Sequence, residues 1–184
     1  MIILIIALVI LIPIIWGVSA YNKLIKDRLK VDNQWSQIDV QLKMRSDLIP
    51  NLVETVSGYA QHEKETLGEV TNARVRYLSA ENPGDIMKAS EEMSKTLSRL
   101  MAVAEAYPDL KANTNFLELQ RELSTIEKRI ADYRQFYNDT VLRYNQEIST
   151  VPSNIIAKLF NFHEKEFLEV TDEDKVRPNV KFTH

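Results

Sequence analysis

The chain begins with an uninterrupted apolar run, since no charged side chain occurs before Lys23. A helix of this length rises roughly 30 Å at ~1.5 Å per residue, which matches the hydrocarbon core of a bilayer. The pattern predicts a transmembrane anchor over residues 1–22. The side chains expected to contact lipid are Ile2, Ile3, Leu4, Ile5, Ile6, Leu8, Val9, Ile10, Leu11, Ile12, Ile14, Ile15 and Trp16.

A cleaved signal peptide is the alternative to a retained anchor. Val18-Ser19-Ala20 has the small residues of a cleavage site. A signal peptide begins with a basic region, however, and only Met1 precedes this run. The run is also longer than the apolar core of a signal peptide. A retained anchor is therefore favoured.

Basic residues follow the anchor directly, at Lys23, Lys26, Arg28 and Lys30, and none precedes it. The positive-inside bias then predicts that the N-terminus lies outside and the remaining chain lies in the cytoplasm. The alternative is that these residues merely belong to the polar face of the next helix.

Beyond the anchor, apolar residues recur at alternating steps of three and four. Four such seams cover residues 21–42, 52–77, 86–107 and 116–148. Narrow seams of this period are typical of coiled coils and helical bundles. The sequence therefore predicts an all-α fold with heptad-like seams.

Helix boundaries are expected where proline and capping residues cluster. Ser46 and Asp47 precede Pro50 and resemble a helix start, while Asp85 follows a Pro-Gly turn and is expected to cap the next helix. The last of the four helices is expected over about 115–150. Short connections imply antiparallel neighbours. We therefore predict an elongated antiparallel four-helix bundle over residues 23–150 that continues the anchor helix without a break.

The C-terminal tail, residues 151–184, is crowded with apolar side chains. The favoured interpretation is that it folds back onto the bundle. The alternative is a contact surface for a neighbouring subunit or for lipid. Lipid is the less favoured of these two, since only Lys158 and Lys165 supply positive charge. The possible interface residues are Phe160, Phe162, Phe167 and Leu168.

Composition narrows the function further. The net charge is −3, and no basic stripe of the kind that binds nucleic acid occurs. The absence of cysteine excludes disulfides, thiolate catalysis and zinc–thiolate sites.

Catalytic motifs are missing as well. His62-Glu63 begins like the zinc-protease motif H-E-x-x-H, but Thr66 stands where the second histidine would be. None of the three histidines follows a glutamate by three residues, as a di-iron bundle site would require. We expect no catalytic, cofactor-binding or metal-binding residues and no enzymatic activity.

Polar side chains occupy several seam positions: Arg28, Arg45, Glu63 and Ser90. Buried polar groups at such positions can fix register and partner choice. The alternative is that the seam tilts and these side chains reach water. The repeated pairs Tyr137-Asn138 and Tyr144-Asn145 lie one heptad apart, and their tyrosines are expected in the core.

Several long motifs follow one another along the chain, at residues 35–43, 47–53, 58–60, 62–63, 73–74, 107–113, 137–138, 144–145 and 152–156. They make the chain similar to the LemA family of bacterial membrane proteins, with departures at Leu29 and Met44. The resemblance implies one N-terminal membrane helix in the bacterial cytoplasmic (inner) membrane, a cytoplasmic antiparallel helical bundle and no known enzymatic activity. A magnetosome-membrane protein resembles the family, which by analogy implies a role in membrane shaping or organisation.

The leading functional hypothesis is a non-enzymatic scaffold that self-associates in the membrane. Its expected partners are lipids and further copies of the chain, without nucleic acid. Small residues at Ala7, Gly17, Ser19 and Ala20 would allow neighbouring anchors to pack closely. The alternative is a monomeric tethered adaptor that binds a cytoplasmic protein through residues 107–113 or 160–170.

Overall fold

The computed structural model describes residues 1–168, apart from the side chains of residues 3–7. Within this range it contains six α-helices and no β-strand, so the prediction of an all-α fold is confirmed. The helices are α1 (Ile2–Ser57), α2 (Lys64–Leu78), α3 (Pro83–Ala104), α4 (Pro108–Lys111), α5 (Thr114–Ser149) and α6 (Ser153–Leu159).

The chain divides into two compact units. The central unit is Asp32–Phe136, and the terminal unit combines Met1–Val31 with Tyr137–His184. In the central unit, the seam of α1 buries Ile38 and Leu42, and α3 buries Leu100. In the terminal unit, the core contains Leu24 from α1 and a set from α5 and α6: Val141, Tyr144, Ile148 and Ala157.

The predicted helix start at Ser46 and Asp47 is wrong, because α1 continues through Pro50 to Ser57. Proline has no N–H, so it cannot donate to the carbonyl four residues earlier, which here belongs to Ser46. Arg74 on α2 replaces that donor: its Nε lies 2.9 Å from the Ser46 carbonyl oxygen. The helix therefore survives its proline because a second helix supplies the missing hydrogen bond.

We expect Arg74→Met to lower the free energy of unfolding by about 2 kcal/mol, because the Ser46 carbonyl is left without a partner. Pro50→Ala should offset much of this loss in the double variant, since the backbone N–H of the introduced alanine can donate to Ser46 within the helix. The measurement is urea denaturation of the full chain in mild detergent, followed by helical circular dichroism. Equal losses in Arg74→Met with and without Pro50→Ala would contradict this explanation.

Other boundaries are close to those predicted. Helix α5 matches the expected span of about 115–150, and the Asn113 side chain accepts from the Phe116 N–H at its start. The cap of α3 is Asn82 rather than Asp85, because the Asn82 side chain accepts from the Asp85 N–H. Glu63 precedes α2, so the second predicted seam spans a helix break.

Candidate functional site

A buried arginine occupies the interior of the central unit. Arg45 is only 1% exposed, and its Nη1 donates to Ser94 Oγ at 2.6 Å and to Glu127 Oε1 at 2.7 Å. Its Nη2 donates to the Ser90 hydroxyl at 2.6 Å and to the Ser90 carbonyl at 3.0 Å. Residues of α1, α3 and α5 are thus joined through one guanidinium.

The phenol of Tyr77, which lies near this guanidinium, keeps its proton at neutral pH. Burial, followed by the nearby carboxylates of Asp39 and Asp47, raises the pKa of Tyr77 to about 12, while Arg45 acts in the opposite direction. A phenol with so high a pKa does not act as a base at neutral pH. The arrangement suits a structural role that sets the register of helices.

The structure brings together only two of the four polar seam residues, Arg45 and Ser90. Glu63 lies elsewhere in the central unit and accepts a hydrogen bond from the Tyr107 hydroxyl at 3.2 Å. Desolvation and this bond to the Glu63 carboxylate raise the pKa of Tyr107. Arg28 is exposed in the terminal unit, where its guanidinium carbon lies 5.5 Å from the centre of the Phe162 ring.

Two asparagines on α5 hold the tail through its backbone. Asn145 accepts from the Lys165 N–H and donates to the Lys165 carbonyl, both at 2.9 Å. Asn138 makes the same two bonds to Leu168, also at 2.9 Å. The buried Tyr137 adds a hydrogen bond from its hydroxyl to the Glu166 carbonyl at 3.2 Å. We call Asn138 and Asn145 the asparagine pair.

The spacing of the asparagine pair along α5 explains why both side chains reach the backbone of the tail. Seven residues of helix rise about 10.5 Å, and three residues of extended chain span about 10 Å. Asn138 and Asn145 are therefore in register with Leu168 and Lys165. Sequence reasoning noticed the repeated pairs and placed Tyr137 and Tyr144 in the core, which is confirmed. It missed the asparagines, although their one-heptad spacing was the available signal.

Aromatic side chains hold the start of the tail against α1. The Tyr21 ring lies 4.7 Å from the Phe160 ring and 5.8 Å from the Phe162 ring, centre to centre. Phe162 is half-buried, whereas Phe160 and Phe167 are exposed. Leu168 is half-buried beside the asparagine pair. Of the four predicted interface residues, Phe162 and Leu168 are half-buried against the chain, Phe160 contacts Tyr21 and keeps about half of its surface exposed, and Phe167 is exposed.

Helix α6 packs beside the last apolar turns of α1. A Cβ placed on Gly17 would lie 3.6 Å from Ile156 Cδ1, and Ala20 is buried. Gly17 is therefore half-buried beside α6 of the same chain. The packing of neighbouring anchors through these small residues stays a prediction.

The described anchor side chains are exposed. They are Ile2, Leu8, Val9, Ile10, Leu11, Ile12, Ile14, Ile15 and Trp16. The side chains of Ile3, Leu4, Ile5 and Ile6 lie outside the described set. By length and composition, the N-terminal part of α1 is able to cross a membrane.

Within residues 1–168, no group of three histidine, aspartate or glutamate side chains is arranged to bind a metal ion. An open groove of about 530 Å³ in the central unit is lined by charges of both signs. Four of these charges form two ion pairs, Arg76 with Glu92 at 2.7 Å and Arg99 with Glu69 at 3.0 Å.

Comparisons with known proteins agree with the family that the motifs suggest. The LemA family model matches residues 34–182. Protein LemA of Metamycoplasma hominis is 25% identical over a match that covers 86% of this chain and 73% of that protein.

Two magnetosome proteins are similar as well. Magnetosome protein MamQ 2 of Paramagnetospirillum magneticum is 25% identical over 81% of this chain and 64% of its own length. Magnetosome protein MamQ of Magnetospirillum gryphiswaldense is 24% identical over 72% of this chain and 58% of its own length. The chain thus spans less than two thirds of either MamQ protein.

Proposed function

Because this chain belongs to the LemA family, we propose that it is a non-enzymatic, single-pass membrane protein that self-associates and organises or shapes the membrane. The observation that carries the proposal is the exposure of the anchor side chains of α1, from Leu8 to Ile15. Large aliphatic side chains exposed together along a charge-free helix need lipid or other apolar helices around them. The magnetosome proteins among the relatives support a role at a membrane.

The orientation proposed for the anchor follows from charge. Lys23, Lys26, Arg28 and Lys30 come directly after the apolar run. This bias supports an N-terminus outside the bacterial inner membrane and a helical domain in the cytoplasm.

Self-association is the finer part of the proposal. Gly17 is half-buried and Ala20 is buried within the chain, so we expect contacts between copies to use the other faces of the anchor or the exposed aromatics of the tail. Phe160 and Phe167 are each about half exposed, at 52% and 51%. Exposed aromatic side chains are enriched at protein interfaces. The buried Arg45 cluster would keep the helices of each copy in one register.

The test is the mass of the full-length protein in lipid nanodiscs prepared with a large excess of empty discs. We expect a discrete oligomer, because copies that associate will enter the same disc. One copy per disc at every protein concentration would overturn self-association. A chain that starts at Lys23, checked for helicity by circular dichroism, shows whether the anchor or the remaining chain holds the copies together.

The tethered adaptor stays the second candidate because of the same exposed aromatics. The other surface predicted for it, residues 107–113, is less suitable. Asn113 donates to the Tyr59 hydroxyl at 2.9 Å, and the Tyr107 hydroxyl donates to Glu63, so both polar groups already have partners within the chain. Single copies in nanodiscs, together with crosslinks from Phe167 to one foreign protein in cells, would favour the adaptor.

A further inference from the structure

Helix α6 and the residues that flank it carry an exposed apolar ridge, which we define as Val151, Ile155, Leu159 and Phe160. Their exposed fractions are 79%, 61%, 70% and 52%. Ile155 and Leu159 are four residues apart in a helix and therefore share one face. Four large apolar side chains exposed within ten consecutive residues are more than the single scattered ones that a surface normally shows.

The opposite face of α6 is fixed to the terminal unit. Ser153 and Ala157 are buried. The Ser153 hydroxyl lies 2.6 Å from the Glu147 carbonyl oxygen and 3.0 Å from the Thr150 carbonyl oxygen, at the C-terminal end of α5. Because this face is held by burial and hydrogen bonds, the apolar ridge has to point outward.

The position of α6 along α1 suggests what covers the ridge. Ile156 lies beside Gly17 of α1, since its Cδ1 would be 3.6 Å from a Cβ placed there, and Gly17 belongs to the charge-free stretch. The first charge, Lys23, pairs with Glu147 at 2.6 Å. Gly17 and Lys23 are six positions apart, which is about 9 Å along a helix. The ridge therefore lies on the apolar side of the first ion pair.

We propose that α6 is a second membrane-contact site, in which the apolar ridge enters the boundary between headgroups and acyl chains of the bilayer that the anchor crosses. Interfacial helices bury their apolar face about 5–10 Å into this boundary. Lys158 is exposed next to Leu159, and its long side chain can reach the headgroups while its aliphatic part stays with the ridge. The patch continues the apolar surface of the anchor, so one bilayer covers both.

This inference rests on the proposed function, because it requires the anchor to lie in a membrane. It also makes lipid the favoured partner of the exposed tail surface, whereas the sequence alone favours a neighbouring subunit over lipid. Charge alone disfavours lipid, but the structure places Ile156 beside Gly17 in the charge-free stretch. A tail held at this depth meets lipid through apolar side chains and needs few basic ones.

The experiment uses the absence of cysteine, since a single introduced cysteine is the only attachment site for a label. Spin labels are attached to Leu159→Cys on the ridge, Leu11→Cys in the anchor and Asp139→Cys on an exposed part of α5. Each full-length variant is reconstituted in vesicles of phosphatidylcholine and phosphatidylglycerol. Collision with oxygen, which enters the bilayer, is compared with collision with a water-soluble nickel complex. Circular dichroism verifies that each variant keeps its helicity.

We expect the labels at Leu159 and Leu11 to collide with oxygen and to be several-fold less accessible to nickel than the label at Asp139. A label at Leu159 that matches Asp139, with Leu11 in lipid, would overturn the inference alone. A label at Leu11 in water would overturn the membrane anchor and the proposed function with it. Protection of Leu159 from both reagents, with spin–spin broadening that disappears on dilution with unlabelled protein, would assign the ridge to a second copy and overturn the lipid assignment.

Discussion

We expect Glu127→Gln to lower the free energy of unfolding by about 3 kcal/mol, because it leaves the Arg45 guanidinium buried without an opposite charge. Arg45 is 1% exposed and Glu127 is 38% exposed by side chain. Water therefore reaches the carboxylate but not its partner. Because the carboxylate is partly solvated, we expect a loss of stability at the lower end of the range for broken buried ion pairs. The loss arises mainly from the Arg45 guanidinium, which stays buried with its charge uncompensated.

A second substitution tests the cause. Replacing Arg45 by methionine removes the buried charge and keeps an apolar side chain of similar length. Replacing a whole buried ion pair by apolar groups is often neutral or stabilising. We therefore expect Arg45→Met/Glu127→Gln to be about 2 kcal/mol more stable than Glu127→Gln alone. The Ser94 hydroxyl would keep a bond to the Ser90 carbonyl, which lies 3.3 Å away.

Urea denaturation of the full chain in mild detergent gives these free energies. The matched control is Glu122→Gln, an exposed position on the same helix, which should change stability by less than about 0.5 kcal/mol. If Glu127→Gln were as mild as Glu122→Gln, the ion pair would contribute nothing measurable. If the double variant were less stable than Glu127→Gln, the buried guanidinium itself would be stabilising.

The largest local effect is expected at the asparagine pair. Asn138→Ala/Asn145→Ala removes four hydrogen bonds between α5 and the backbone of Lys165 and Leu168. At about 1 kcal/mol per bond, the tail segment loses about 4 kcal/mol of local stability. This corresponds to roughly a thousandfold increase in the equilibrium opening of the segment from α5.

Hydrogen exchange at the backbone amides of Lys165 and Leu168 measures that opening directly. Asn145→Ala alone should accelerate Lys165 more than Leu168, and Asn138→Ala alone should do the reverse. The control is Gln146→Ala, an exposed neighbour on the same helix. Unchanged exchange in the double variant would mean that Tyr137 and the aromatic contacts of Phe162 hold the tail without the asparagines.

Much of the fold follows from local periodicity. The charge-free run, the seam of α5 and the buried Tyr137 and Tyr144 were all predicted, since each depends on residues a few positions apart on one helix. The same periodicity also predicts that α1 continues without a break. Arg45, Ile49, Leu52 and Val56 keep the three-four spacing straight through Pro50, and all four are buried. In this helix the register of buried side chains, rather than the proline, indicates where the helix continues.

Partners between distant segments were decided only by the tertiary structure. Arg28 and Arg45 both lie on the seam of α1, yet Arg28 is exposed beside Phe162 while Arg45 is buried against Glu127. Arg45 and its partner Glu127 are 82 positions apart in the sequence. Arg74 and Ser46, whose hydrogen bond supports α1 at Pro50, are 28 positions apart. No local pattern encodes such pairings.

The sequence by itself determined an all-α chain with an apolar N-terminal helix, because hydrophobic spacing is a property of each helix alone. The tertiary structure decided which polar side chains are buried, how α1 tolerates Pro50 and where the tail lies. These depend on a hydrogen-bond donor or an apolar surface arriving from elsewhere in the chain. Whether a polar group in a seam is stable is set by the partner it finds, and that partner exists only once the helices have packed.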